Sequence, residues 1–85
     1  MTSIIVEMTG KRSDITKKLG WKIKIERTKK KLSQEALAEL ANLNRNSISA
    51  IERCESSPTI ETLGAIAKAL DIKLTDLVDI DKIDF

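Results

Sequence analysis

Four polar side chains lie close together between positions 44 and 49, and their chemistry matches the edges of nucleic-acid base pairs. Arg45 can form two parallel hydrogen bonds with guanine, and Asn46 can form an equivalent pair with adenine. Asn44 and Ser49 are short side chains that both donate and accept hydrogen bonds. Asn44, Arg45, Asn46 and Ser49 are therefore the candidates for direct base readout.

Two short helices would have to position these side chains. Ser33 is a predicted N-cap, and the helix that follows it is expected to end near Asn42. A second helix is predicted from Asn44 or Arg45 to Arg53. Small and apolar side chains are expected to face inward: Leu37, Ala38, Leu40, Ala41, Leu43, Ile48 and Ile51. This pattern predicts a helix-turn-helix, whose second helix fits a major groove about 12 Å wide.

Contacts with the phosphate backbone are expected at the ends of the same helix pair. Ser33 and Gln34 lie at the start of the first helix, where unpaired N–H groups favour an anion. Arg53 lies at the end of the second helix, and it could add a screened charge contact, as could Lys11 or Arg12.

Helical periodicity continues on both sides of this pair. Apolar residues spaced by four predict a first helix that begins at Ser13: Ile15, Leu19 and Ile23. Thr59 is expected to cap a later helix with five buried residues: Ile60, Leu63, Ile66, Ala67 and Leu70. A last turn or two is predicted over residues 74–78. The terminal segments SIIVEM and DIDKIDF resemble short extended β-arms, which could pair as strands and join subunits.

Composition excludes several classes of protein. The 85 residues include only two aromatic side chains, and a core of Leu, Ile and Ala favours packed helices. One cysteine and no histidine argue against a metal site, a cofactor and a catalytic centre, so no enzyme is expected. Residues 11–31 carry a net charge of +8 and residues 59–85 a net charge of −3, which suggests one face for a polyanion. Without a signal-like or membrane-spanning run, a cytoplasmic protein is expected.

The segments LSQEALAELANLNRNSISAIERC and PTIETLGAIAKALDIKLTDL resemble the phage repressor and Cro-type (Xre-like) helix-turn-helix family. The resemblance covers residues 19–78. It implies an all-α, compact five-helix bundle and a homodimer on a partly palindromic operator. It also implies that Arg45, Asn46 and Ser49 face bases, that Gln34 contacts the DNA backbone, and that Arg27 pairs with Glu52.

The chain departs from this family at several positions. Four residues stand where the family usually has glycine: Lys31, Asn42, Cys54 and Asp71. Asn and Asp tolerate a positive φ and can end helices, whereas Cys54 fits such a position less well. Glu26 replaces a common apolar residue, which predicts a more exposed first helix. Glu55 places a negative charge near the expected phosphates, and Ala50 leaves the second turn of the reading helix little to read with.

The sequence as a whole indicates three segments: an arm at 1–12, a helix-turn-helix DNA-binding domain at 13–79 and a tail at 80–85. The predicted function is sequence-specific binding of double-stranded DNA by a homodimeric transcriptional regulator, without a membrane association. The alternative is an antitoxin-type interaction module, in which the arm or the acidic tail binds a protein partner and DNA binding only autoregulates.

Overall fold

The computed structural model describes residues 14–79, and the regular secondary structure in that range is all helical, with no strand. Five helices follow one another in sequence: α1 (Asp14–Lys29), α2 (Gln34–Ala41), α3 (Arg45–Glu52), α4 (Ile60–Ala69) and α5 (Leu74–Leu77). The prediction of an all-α five-helix bundle is confirmed. The predicted arm and tail, the Ser13 cap and both terminal β-arms lie outside the described residues.

Three helices begin at a capping residue, and the sequence predicts two of these caps, Ser33 and Thr59, while Asn44 is predicted only as a possible helix start. Ser33, Asn44 and Thr59 each use a side-chain oxygen to accept a hydrogen bond from a backbone N–H group in the first turn. The donors are Ala36 at 2.9 Å, Asn46 at 2.7 Å and Thr62 at 3.1 Å. Each cap satisfies one backbone donor that a helix start would leave without a partner. Local sequence therefore sets where α2, α3 and α4 begin.

Four left-handed residues terminate the helices or the turns after them: Lys31, Asn42, Cys54 and Asp71, with φ between 56° and 62°. After each one, the next backbone N–H donates to the carbonyl five residues back, as in a Schellman motif. These bonds are Leu32 to Arg27, Leu43 to Ala38, Glu55 to Ala50 and Ile72 to Ala67, at 2.7 to 3.1 Å. The four left-handed residues stand where the family that the sequence resembles usually has glycine. Cys54 adopts the left-handed conformation like the other three.

All five helices contribute to one apolar core. Its twelve buried apolar residues are Leu19, Ile23, Leu37, Ala38, Ala41, Ile48, Ile51, Leu63, Ile66, Ala67, Leu70 and Leu77. Leu43 and Leu74 are partly buried and pack against this core. Most of these positions agree with the inward faces that the helical period predicts.

Three predictions of burial are wrong. Ile15, Leu40 and Ile60 have exposed fractions of 64%, 60% and 61%. Ile15 and Ile60 lie in the first turns of α1 and α4, one turn before the first core residue of each helix. At about 100° per residue, Leu40 lies about 100° around α2 from Ala41 and about 160° from Ala38, and so it lies at the edge of the inward face.

Glu26 corrects another expectation, because it is buried rather than exposed, with 8% of its surface accessible. Its carboxylate lies 3.2 Å from Lys22 Nζ and 3.4 Å from Lys29 Nζ. Burial raises the pKa of Glu26, but the hydrogen bonds and charges of the two lysines outweigh burial and hold this pKa below its ordinary value. Glu26 is thus a charged residue that α1 neutralises within its own turns.

Candidate nucleic-acid interface

The second and third helices form a helix-turn-helix. α2 packs against both α3 and α4, and the turn between α2 and α3 contains Leu43, which packs on the core. Ile48 and Ile51 of α3 are 0% and 3% exposed, so one side of this short helix is anchored in the bundle. Because α3 is held along that side, its opposite side is presented on a rigid support.

Three of the four readout candidates lie on that opposite side of α3. Arg45 and Asn46 are exposed and Ser49 is half-buried. At about 100° per residue, the three side chains fall within about 100° of arc around the helix axis. The structure therefore brings Arg45, Asn46 and Ser49 together on one accessible face.

Asn44, the fourth candidate, is also a structural residue. Its Oδ1 accepts a hydrogen bond from the backbone N–H of Asn46 at 2.7 Å and caps α3. The side chain is exposed, and its Nδ2 amide group is the part that remains able to donate to a base edge. Capping thus restricts the hydrogen bonds that Asn44 can offer DNA.

Ser33 and Gln34, which the sequence suggests for phosphate contact, lie together at the start of α2. The Ser33 hydroxyl accepts the capping bond from Ala36, whereas Gln34 Nε2 donates to Glu52 Oε1 at 3.1 Å. Both side chains therefore have partners within the chain, and the N–H groups of the first turn of α2 are the donors that an anion would meet there.

Arg53 follows α3 and makes three contacts with its guanidinium group. Nε and one terminal nitrogen donate to the two carboxylate oxygens of Glu55, both at 3.0 Å. The other terminal nitrogen donates to Ser49 Oγ. The hydrogen bonds and the charge of Glu55 raise the pKa of Arg53 above its already high ordinary value. The predicted phosphate contact thus lies beside Ser49, and an acidic residue binds it.

Arg27 and Glu52 form an ion pair and hydrogen-bond network between α1 and α3. Arg27 Nε donates to Glu52 Oε2 at 2.7 Å, and a terminal nitrogen donates to Oε1 at 3.0 Å. The second terminal nitrogen donates to the carbonyl of Leu32 at 2.7 Å, while Gln34 reaches the same carboxylate. The two charged side chains are only 13% and 3% exposed. This network links α1, the start of α2 and the end of α3, and so it sets the position of α3.

Gly20 is a positioning residue that the sequence reasoning missed. A Cβ atom at this position of α1 would lie 2.5 Å from the carbonyl oxygen of Ile51 and 3.2 Å from Cys54 Sγ. Only a residue without a side chain therefore lets α1 approach the end of α3 this closely. A glycine inside an otherwise regular helical pattern was the signal that could have indicated it.

Comparison with known proteins identifies the family. A model of the helix-turn-helix family HTH_3 matches residues 23–77, which is more than half of the chain. The chain belongs to the HTH_3 family. This membership confirms the resemblance that the sequence motifs indicate, and it covers all of α2, α3 and α4.

Three relatives of this HTH_3 chain have informative names. The immunity repressor protein of Bacillus phage phi105 is 43% identical over 60 residues, which is 71% of this chain and 42% of the repressor. Control protein C.SmaI of Serratia marcescens is 38% identical over 65 residues, covering 76% and 77% of the two chains. The crystal structure of the restriction-modification controller protein C.AhdI from Aeromonas hydrophila has a TM-score of 0.72 at 35% identity, covering 73% and 94%.

The HTH_3 chain spans less than half of the phage repressor and about three quarters of the control protein. These relatives are named as an immunity repressor, a control protein and a restriction-modification controller protein. Residues 14–79 contain no group of three or more metal-ligating side chains. Within the same residues, no helix has the length and apolarity needed to cross a bilayer.

Proposed function

We propose that the chain is a sequence-specific DNA-binding transcriptional regulator that binds a partly palindromic operator as a homodimer. The observation that carries the proposal is the exposed face of α3, where Arg45, Asn46 and Ser49 lie together on a helix anchored by Ile48 and Ile51. In a two-fold dimer, two copies of α3 would enter successive major grooves about 34 Å apart.

The chemistry of this face suits direct readout. Arg45 would donate two hydrogen bonds to O6 and N7 of guanine, and Asn46 would pair with N6 and N7 of adenine. The Ser49 hydroxyl would add one hydrogen bond, while Ala50 offers only a methyl group. Most of the sequence preference would therefore come from the first turn of α3.

Contacts with the phosphate backbone would fix the register of α3 on the duplex. The start of α2, with Ser33 and Gln34, would meet one phosphate through its N–H groups. Arg53, at the end of α3, would contact another phosphate. These contacts are independent of sequence, so they would raise affinity for every duplex.

The relatives support the regulatory part of the proposal, since they are named as an immunity repressor and as controller proteins. Repression would follow if the bound dimer blocks polymerase, and activation would follow if it recruits polymerase. Both effects require the same contact of α3 with an operator.

The test is a salt titration of duplex binding by fluorescence anisotropy, with an operator selected from random sequences and a scrambled duplex of equal length. Wild type is compared with Arg45→Ala/Asn46→Ala and with the control Lys68→Ala, which also removes one positive charge but lies on α4. We expect wild type and the control to bind the operator more tightly than the scrambled duplex. The double variant should lose this preference, while its slope of log Kd against log salt concentration should change by about one or less.

The same titration separates the proposal from the antitoxin-type alternative. Weak, salt-sensitive binding of wild type to both duplexes, without a preference, would reject sequence-specific regulation. The chain would then be an interaction module, and a stable complex with a co-purified protein would identify its partner. For this outcome, substitution of Arg45 and Asn46 would leave that complex intact.

A further inference from the structure

Arg53 is a predicted phosphate contact whose positive charge already has an anionic partner within the chain. Glu55 takes two parallel hydrogen bonds from its guanidinium group, both 3.0 Å long. The side chains of Arg53 and Glu55 are 56% and 59% exposed, so the pair lies at the surface rather than in the core. A duplex that approaches the end of α3 would meet this neutralised pair instead of a free cation.

A phosphate group and a carboxylate compete for the same donors of arginine. Both anions prefer the paired, in-plane arrangement of two N–H groups, and Glu55 occupies that arrangement in this structure. Phosphate binding at these same two N–H groups of Arg53 therefore requires loss of at least one hydrogen bond to Glu55.

The same guanidinium group also touches the face that would read bases. Its remaining terminal nitrogen donates to Ser49 Oγ, which uses one of the two acceptor lone pairs of that hydroxyl oxygen. Ser49 keeps its own O–H group as a donor. The contacts of Arg53 thus connect the side chain of Glu55 with the face formed by Arg45, Asn46 and Ser49.

We propose that Glu55 limits the DNA affinity of this chain by competing with backbone phosphates for the guanidinium group of Arg53. This inference rests on the proposed function, because it assigns a determinant of affinity within the same interface. Glu55 acts on backbone binding, which is independent of sequence, and so it weakens specific and non-specific complexes by the same factor. Its two hydrogen bonds hold the guanidinium group of Arg53 beside α3.

The experiment measures Kd by fluorescence anisotropy for the selected operator and for the scrambled duplex over a series of salt concentrations. Four proteins form a cycle: wild type, Glu55→Gln, Arg53→Ala and the double variant. Asp71→Asn is the charge-matched control, since Asp71 is exposed in the turn between α4 and α5. Circular dichroism verifies that each variant is folded.

We expect Glu55→Gln to lower Kd for both duplexes by about 1.4- to 5-fold, a range set by the strength of a surface ion pair. The slope of log Kd against log salt concentration should steepen by about 0.9, because one more phosphate is neutralised. In the Arg53→Ala background, Glu55→Gln should change Kd no more than Asp71→Asn changes it in wild type.

Two results would overturn the inference. An unchanged Kd in Glu55→Gln would show that Glu55 does not restrain Arg53. An equal gain in the presence and absence of Arg53 would show that Glu55 acts only as a negative charge near the duplex. Failure of the proposed function gives a different result from failure of this inference. Wild type would then bind both duplexes with equal Kd. The effect of Glu55→Gln on Kd, with and without Arg53, could still be measured on either duplex.

Discussion

Substitution of the Arg27–Glu52 pair provides the most direct test of how the bundle holds α3. Arg27→Met removes the cation and leaves the Glu52 carboxylate, which is 3% exposed, with the Gln34 hydrogen bond. Glu52→Leu removes the anion and leaves the Arg27 guanidinium group with the carbonyl of Leu32. Each single change leaves a charge with little access to water, whereas the double variant removes both charges and fills similar volumes with apolar side chains.

The expected magnitudes follow from the burial of the pair. Loss of one partner from a buried ion pair costs about 3–5 kcal/mol in the free energy of unfolding, because the remaining charge stays desolvated. Replacement of both partners by apolar residues costs only about 0–2 kcal/mol, of which the orphaned Gln34 amide is the main source. A chain of this size has about 4–13 kcal/mol of stability in total, so each single variant should lose a large part of it.

Urea unfolding followed by far-ultraviolet circular dichroism at pH 7 measures the four free energies of the cycle. Each single variant should also melt about 12 °C or more below wild type. The double variant should melt well above both single variants, and the coupling energy should reach about 3 kcal/mol or more. Single-variant costs below about 1 kcal/mol, or costs that add in the double variant, would refute the reasoning, because such values are typical of exposed pairs.

Three further predictions concern stability. Gly20→Ala should cost at least about 1–3 kcal/mol, since its Cβ would lie 2.5 Å from the carbonyl oxygen of Ile51, and an unchanged melting temperature would contradict this close approach. Lys31→Gly should raise stability by up to about 1 kcal/mol in urea unfolding, because Lys31 has φ 58°, whereas the neighbouring control Lys30→Gly should lower stability. Glu26 has a lowered pKa in the folded chain, so its ionised carboxylate stabilises the fold above the ordinary glutamate pKa. This stabilisation is lost as the pH falls below that value. The free energy of unfolding of Glu26→Gln should therefore decrease less than that of wild type between pH values of about 5 and 3.

Much of the fold could be predicted because its signals are local. Caps at Ser33, Asn44 and Thr59 precede helices at the predicted places, and the helical period indicated most of the core. The helical period failed in the first turns of α1 and α4, at Ile15 and Ile60, and at the edge of the inward face of α2, at Leu40. The spacing of apolar residues describes one helix at a time. It does not indicate where along that helix a neighbouring helix starts to pack against it.

The candidate site divides in the same way. The sequence by itself determined that Arg45, Asn46 and Ser49 share one face of a short helix, because a rotation of about 100° per residue requires it. The tertiary structure decided that Glu52 also binds Gln34, and that α1 can approach α3 only at a glycine. These contacts join residues that are far apart in the chain, and they depend on where the helices cross. Only the packing of the helices in the tertiary structure therefore decided how α3 is held in the bundle.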